Sequence, residues 1–169
     1  LMHLKERKFV SLASPDMPGV EISDDSKDAP LLLGTSDVPY RQLVSWDQGY
    51  SDYYLVNAID GSRKKVIEKC PSFVSFSPGR NYLLYFDESD RSWRAFRVLD
   101  GKTFNLTAKL ATRFEQEEHD TPDNPGPYGS AGWTDGDKTV LLYDRFDIWE
   151  VKPDGSGGRM ATNGTGRKN

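Results

Sequence analysis

The sequence predicts an all-β fold built from about three copies of a four-stranded antiparallel unit. Three observations lead to this prediction: a recurring Asp-Gly turn, a recurring aliphatic run ahead of it, and a composition rich in aromatic and turn-forming residues. The 169 residues include eight Tyr, eight Phe and four Trp beside 15 Gly and 10 Pro. Aromatic residues favour strands, and glycine and proline favour the tight turns between strands.

Three Asp-Gly turns close the repeated units, at Asp60-Gly61, Asp100-Gly101 and Asp154-Gly155, whereas a fourth pair, Asp135-Gly136, aligns with Pro78-Gly79. The residues ahead of them correspond, reading DYYLVNAIDG, SWRAFRVLDG and, with a one-residue slip, DIWEVKPDG. Further upstream, VSFSPGRNYLLYFD aligns without gaps to AGWTDGDKTVLLYD, which places Phe76 over Trp133, Phe86 over Tyr143 and Asp87 over Asp144. The chain therefore repeats one structural unit.

Each copy reads as four short strands separated by turns, and the second copy has them at SFVSFS, NYLLYF, WRAFRV and TFNLTA. Continuous apolar runs such as YLLYF are typical of strands that are covered on both faces. A four-stranded repeat of about 40 residues is the period of a β-propeller blade. The longer spacing before the last turn is explained by a polar insertion over residues 111–128.

We therefore predict an irregular N-terminal segment over residues 1–30 and a partial β-propeller over residues 31–169. Its blades are expected at about residues 31–69, 72–110 and 129–162. Natural propellers close with about four to eight blades, so three blades cannot close a ring. Both chain ends read as cuts within a longer protein. Alternatively, two copies form a homodimer that completes one ring, because open sheet edges favour pairing.

Composition and charge narrow the range of partners. The net charge is -4, the pI is about 5.2, and lysines and arginines are scattered, so the basic stripe of a nucleic-acid-binding protein is missing. No apolar run reaches the roughly 18 residues that a membrane helix needs. The single cysteine, Cys70, excludes an internal disulfide framework and a cysteine-rich zinc site. We expect no nucleic acid, no membrane span and no cofactor.

The repeated phrase resembles a known type of blade. In FSPGRNYLLYF and WRAFRVLDGKTFNLT, a Ser-Pro-x-Gly turn precedes an aliphatic strand, an aromatic strand leads to Asp-Gly, and the copy closes on Leu-Thr. This pattern resembles the TolB-like blade, which also builds the N-terminal propeller of the prolyl oligopeptidase and dipeptidyl-peptidase (S9) serine peptidases. The resemblance covers about residues 45–169.

The resemblance implies a non-catalytic role for this chain. It would gate and position peptide substrate for the hydrolase domain of a larger periplasmic or secreted peptidase. Alternatively, it is a TolB-like propeller that binds a protein partner at its mouth and has no peptidase domain. The family's nucleophile sits in Gly-x-Ser-x-Gly, followed by Asp and His. This chain lacks that element, and its two histidines, His3 and His119, are not near a candidate nucleophile, so we assign no catalytic residue.

The polar insertion FEQEEHDTPDN contains the candidate substrate-binding residues, Glu117 and Glu118. Dipeptidyl peptidases hold the free amino terminus of a substrate with two glutamates from a propeller insertion, and the resemblance implies this role for the two residues. Two carboxylates can accept the three donors of an ammonium group and balance its charge. The alternative is an ordinary solvated acidic loop.

No metal site is predicted in the insertion. Its potential oxygen and nitrogen ligands are Glu115, Glu118, His119, Asp120 and Asp123. A calcium-binding loop has regularly alternating ligands, and this spacing is missing here. Exposed charge explains the segment better.

Two further sets of residues have structural interpretations. Recurring aromatic residues at equivalent places predict packing between blades; they are Trp93, Trp149, Phe96 and Tyr53. Short carboxylates beside the outer hairpins predict turns; they are Asp87, Asp90, Asp144 and Asp147.

Overall fold

The computed structural model describes residues 1–3, 8–22, 29–43, 48–120 and 124–168. Within these residues the chain is all-β, with three four-stranded antiparallel sheets and a two-stranded ribbon. The predicted fold class, about three four-stranded antiparallel blades, is therefore confirmed. The chain divides into two compact units, Leu1–Pro71 and Ser72–Asn169. The first unit contains one of the four-stranded sheets and the second unit contains two.

The first unit consists of the ribbon and the first sheet. In the ribbon, β1 (Met2–His3) pairs with β2 (Lys8–Phe9). The sheet keeps its strands in sequence order, β3 (Gly19–Glu21), β4 (Leu31–Ser36), β5 (Ser51–Asn57) and β6 (Arg63–Cys70). Its buried core is formed by Val10, Leu12, Met17, Leu32, Val56 and Ala58.

The first sheet begins earlier than the blade predicted at residues 31–69. Strand β3 lies inside the segment 1–30 that the sequence predicts to be irregular, and it pairs with β4 from Gly19–Thr35 to Glu21–Leu33. The strand is only three residues long and stands among Pro, Gly and Asp residues. Such a segment shows turn signals and is too short for a clear alternation of polar and apolar residues.

The second unit contains the second and third sheets, each again in sequence order. The second sheet consists of β7 (Ser75–Phe76), β8 (Tyr82–Asp87), β9 (Ser92–Arg97) and β10 (Thr103–Asn105). The third sheet consists of β11 (Ser130–Trp133), β12 (Val140–Tyr143), β13 (Ile148–Val151) and β14 (Gly158–Met160). Both sheets fall within the blades predicted at about residues 72–110 and 129–162.

One buried core is shared by the second and third sheets. It contains side chains of β8, β9, β12 and β13, together with two residues of the segment that connects the sheets. Its members are Leu84, Phe86, Trp93, Ala95, Leu106, Phe114, Val140, Leu142 and Val151. Because alternate residues of a strand face the same side, the two sheets bury one face of each against the other.

The two tryptophans expected at equivalent places both pack in this core, but their positions are not equivalent. Trp93 is opposite Phe86 in the strand register, and Trp149 is opposite Leu142. The repeat alignment places Phe86 over Tyr143, so Trp149 lies one position away from the equivalent of Trp93. Successive residues of a strand alternate faces. The two indoles therefore lie on opposite faces of the repeated sheet: Trp93 is a member of the shared core, and Trp149 packs against that core.

A buried carboxylate joins the two sheets at their turns. Asp137, between β11 and β12, accepts hydrogen bonds from the turn between β7 and β8. Its donors are Ser77 Oγ at 2.6 Å, Gly79 N at 3.0 Å, and Asn81 Nδ2 at 2.9 Å. Burial raises the pKa of Asp137, but these hydrogen bonds outweigh burial and hold that pKa below its usual value. The carboxylate is therefore ionised at neutral pH and fixes one sheet to the next.

Candidate functional site

The candidate site lies at one edge of the second unit, which we call the loop edge. In an antiparallel four-stranded sheet, the starts of the first and third strands lie at the same edge as the ends of the second and fourth. For the second and third sheets this edge carries, among the described residues, 72–74, 88–91, 106–120, 124–129, 144–147 and 161–168. The polar insertion is therefore part of the loop edge.

Glu117 and Glu118 lie on the insertion and bind an arginine from the hairpin between β12 and β13. Arg145 Nη1 is 3.8 Å from Glu117 Oε2, and Arg145 Nη2 forms an ion pair with Glu118 Oε1. The backbone N–H of Glu117 also donates to the Tyr128 hydroxyl at 3.1 Å. The guanidinium gives both carboxylates the positive charge that the predicted substrate ammonium would provide. An incoming amine would therefore compete with Arg145.

The remaining acidic residues of the insertion do not gather around a metal. Glu115 is buried, accepts the backbone N–H of Phe114 at 3.2 Å, and lies 4.0 Å from Arg91 Nη1. Among the residues that the structure describes, no group of three or more His, Cys, Asp or Glu could hold a metal ion. Asp123, the last residue of the metal set considered above, lies outside the described residues.

The hairpin between β12 and β13 contains a buried pair of carboxylates. Asp144 Oδ1 accepts two backbone N–H groups of its own hairpin at 2.7 and 2.8 Å, as the turn prediction requires. Its Oδ2 accepts Trp149 Nε1 at 2.7 Å, Thr112 Oγ1 at 3.1 Å, and Arg167. Burial raises the pKa of Asp144, but these hydrogen bonds outweigh burial and hold that pKa below its usual value.

The second carboxylate of this hairpin, Asp147, completes the network. Its Oδ1 accepts Thr162 Oγ1 at 2.6 Å, and its Oδ2 binds Arg167 Nη1. Arg167 thus forms a fork between the two aspartates, with one terminal nitrogen on each. Asp144 has the predicted turn role, whereas the carboxylate of Asp147 bonds the chain after β14. The shared arginine does not follow from the sequence, because it lies 20 residues beyond Asp147.

A cleft of about 410 Å³ opens at the loop edge, beside β7, β8 and β9. Its lining includes Phe73, Glu88, Trp93 and Pro127. Two buried polar atoms of this lining, Glu88 Oε2 and Trp93 Nε1, find no hydrogen-bond partner within the part of the chain that the structure describes. We call these two atoms the cleft polar pair. Sequence reasoning missed Glu88, because FDESD carries only a turn signal.

The first unit contains a buried carboxylate with a structural role. Asp52 accepts the Tyr40 hydroxyl at 2.6 Å and the backbone N–H of Lys69 at 2.9 Å, and its Oδ2 lies 2.7 Å from Lys65 Nζ. Burial, assisted by the hydrogen bond to Asp52, raises the pKa of Tyr40 to about 12. The phenol therefore stays protonated at neutral pH and holds the segment before β5 against the sheet.

Comparisons with known proteins do not assign the chain to a family. No family model matches it, and no curated protein sequence is significantly similar to it. The resemblance to TolB-like and prolyl oligopeptidase-type blades therefore stays a prediction. Among the described residues, no helix is both long enough and apolar enough to cross a membrane.

Proposed function

We propose that this chain is a non-catalytic propeller segment that gates and positions peptide substrate for a prolyl oligopeptidase-type serine peptidase. The observation that supports the proposal is the arrangement of the loop edge. There the polar insertion is held by ion pairs to Arg91 and Arg145, and a cleft opens beside it. Loops on a rigid scaffold are the usual location of binding sites in β-sheet proteins.

The scaffold under this edge is well fixed. The second and third sheets share one core, Asp137 joins their turns, and Arg167 ties the third hairpin to the chain after β14. A rigid edge holds a ligand in one place, which is what positioning a substrate requires. A cleft of about 410 Å³ has room for a few residues of an extended peptide but not for a folded protein. The chemical step would belong to a separate hydrolase domain, because this sequence has no Gly-x-Ser-x-Gly element.

A second candidate function is a protein-binding module without a peptidase domain. It is favoured by two large aromatic side chains exposed at the loop edge. Phe73 is 77% exposed and Phe146 is 51% exposed. Apolar side chains displayed beside polar residues are a common feature of protein-binding surfaces.

The coding sequence beyond Asn169 and the full-length gene product distinguish the two functions. We expect a Gly-x-Ser-x-Gly element within a few hundred residues, and a serine of the full-length protein that reacts with a fluorophosphonate probe. Further blades followed by a stop, with no labelled serine, would contradict the peptidase and support the binding module. A secretory leader at the start of the same gene is expected for a periplasmic or secreted parent.

The pairing of two copies into one ring is a separate proposal with its own test. Light scattering across a tenfold range of concentration measures the mass of the chain in solution. A constant mass of twice 19.1 kDa supports the homodimer, and a constant mass of 19.1 kDa contradicts it.

A further inference from the structure

The cleft at the loop edge contains two buried polar atoms that lack a hydrogen-bond partner among the described residues. Trp93 is only 7% exposed, and its backbone N–H donates to Thr107 Oγ1 at 3.2 Å, but the described residues offer its indole N–H no acceptor. Glu88 Oε1 accepts the Ser72 hydroxyl at 3.4 Å, whereas its Oε2 is buried and lacks a donor among the same residues. Buried polar atoms in native proteins are nearly always hydrogen-bonded, so such a pair requires an explanation.

The other tryptophan at the shared core has an acceptor for its indole N–H. Trp149 Nε1 donates to Asp144 Oδ2 at 2.7 Å in the third sheet. In the second sheet the Glu88 carboxylate and the Trp93 indole N–H line one cleft, but they do not hydrogen-bond each other. A ligand that hydrogen-bonds the carboxylate or the indole N–H would replace an interaction with water that burial has removed.

The cations nearest to Glu88 in the sequence are already engaged. Arg94 forms ion pairs with Asp87 and Asp90. Arg91 lies 4.0 Å from Glu115. The cleft carboxylate is therefore not neutralised by its own hairpin, and it favours a cationic donor.

The lining of the cleft restricts the ligand further. Beside the polar pair it presents apolar side chains, including the half-buried Pro127 and the exposed Phe73. An apolar wall with an acidic end suits a side chain that has an aliphatic stem and a charged head. The indole N–H requires an acceptor, such as a peptide carbonyl. A volume of about 410 Å³ falls in the range of small-molecule sites.

We propose that this cleft binds a lysine or arginine side chain of an extended peptide. The cationic head binds Glu88, the stem packs against Phe73 and Pro127, and a backbone carbonyl of the peptide accepts the Trp93 indole N–H. The inference rests on the proposed peptide-binding function and adds to it a preference for basic residues. The net charge of -4 attracts such peptides over a longer range.

The test compares two acetylated and amidated pentapeptides, one with lysine flanked by alanines and one with norleucine at the same position. Each is titrated into the ¹⁵N-labelled 169-residue chain while the indole N–H resonances are recorded, with Trp93 assigned from a Trp93→Phe variant. We expect the lysine peptide to move the Trp93 resonance and to bind about tenfold more tightly than the norleucine peptide. Glu88→Gln should abolish that difference, and the control Glu68→Gln should preserve it.

The outcomes separate this inference from the function on which it rests. Equal binding of both peptides to the wild-type chain would overturn the preference for basic residues and leave peptide binding intact. The same holds if Glu88→Gln keeps the tenfold difference. If neither peptide moves any resonance, both proposals fail. Glu88→Gln should remain folded, which its amide spectrum reports, because Oε2 forms no bond within the described chain.

Discussion

The outer hairpins of the second and third sheets contain the same motif, an aspartate followed three positions later by another, but they use it differently. In the second sheet, Asp87 and Asp90 are partly exposed and bind Arg94 of the adjoining strand. In the third sheet, both carboxylates are buried and share Arg167, which lies after the last strand. One motif is a local turn, and the other ties distant parts of the chain together.

The comparison shows that burial, and not the motif, decides the energetic role. Both first aspartates form the turn through a backbone N–H, from Ser89 at 3.1 Å to Asp87 and from Phe146 at 2.8 Å to Asp144. Exposed ion pairs contribute about 0–1 kcal/mol to stability. Removing one partner of a buried pair costs about 3–5 kcal/mol, because a charge is left without compensation.

The largest expected effect comes from removing the shared arginine. Arg167→Met should lower the free energy of unfolding by about 3 kcal/mol, near the lower limit for buried pairs because the guanidinium is partly exposed. Arg94→Met is the matched control and should cost less, about 1 kcal/mol, because its partner carboxylates Asp87 and Asp90 are partly exposed. Urea unfolding followed by tryptophan fluorescence measures both. Equal losses of unfolding free energy in the two variants would show that burial of the carboxylates does not make the Arg167 pairs stronger than the Arg94 pairs.

Acid should weaken the buried network as Asp144 becomes protonated. The folded-state pKa of Asp144 lies below the ordinary value of 3.8, so its contribution to stability is present above that pH. The contribution is lost as pH falls from 3.8 through the folded-state pKa. In urea unfolding across this acid range, Asp144→Asn should give a shallower decline in stability than the wild type. If the stability of the variant and of the wild type falls equally with pH, the ionised Asp144 carboxylate does not stabilise the fold.

Smaller changes in stability are expected from replacing the two tryptophans at the shared core, and these changes depend on whether each indole N–H has an acceptor. Trp149→Phe removes a hydrogen bond to a buried carboxylate and should cost about 2 kcal/mol. Trp93→Phe keeps a ring in the core and removes an indole N–H that no described residue accepts, so it should cost about 1 kcal/mol or less. Urea unfolding compares the two variants. A greater loss of unfolding free energy for Trp93→Phe than for Trp149→Phe would show that the Trp93 indole N–H already has an acceptor in the unliganded chain.

The smallest effect is expected at the insertion. Arg145→Gln should change the free energy of unfolding by less than about 1 kcal/mol, because the ion pairs with Glu117 and Glu118 are exposed. It should nevertheless speed amide hydrogen exchange of residues 116–118, which those pairs hold against the hairpin. Arg159→Gln, which removes an exposed pair with Glu150, is the control and should leave that exchange unchanged. Identical exchange in both variants would show that Arg145 does not hold the insertion.

The strands of the second and third sheets could be predicted because their signals are local. An aliphatic run, an aromatic run and an Asp-Gly turn recur in the same order in both copies, and each strand falls beside its turn. Strand β3 was not predicted, because a three-residue strand has too little pattern to separate it from the surrounding turn residues. The shift between Trp93 and Trp149 was also hidden, since it depends on the register of each hairpin.

The candidate site could be predicted only in part. The sequence indicates that Glu117 and Glu118 belong to a polar insertion, but it does not reveal Arg145, which lies 27 residues beyond Glu118. The cleft polar pair could not be found from sequence at all. Trp93 reads as a core aromatic and Glu88 as a turn residue, and whether an atom has a partner depends on everything folded around it.

The most direct test of the account is whether extended peptide binds at the loop edge. Amide hydrogen exchange of the 169-residue chain would be compared with and without a saturating mixture of unstructured peptides. The account predicts slower exchange in residues 72–74, 88–91 and 124–130, and no change at the Asp100-Gly101 turn of the opposite edge. Unchanged exchange throughout, or slowing at the opposite edge alone, would contradict it.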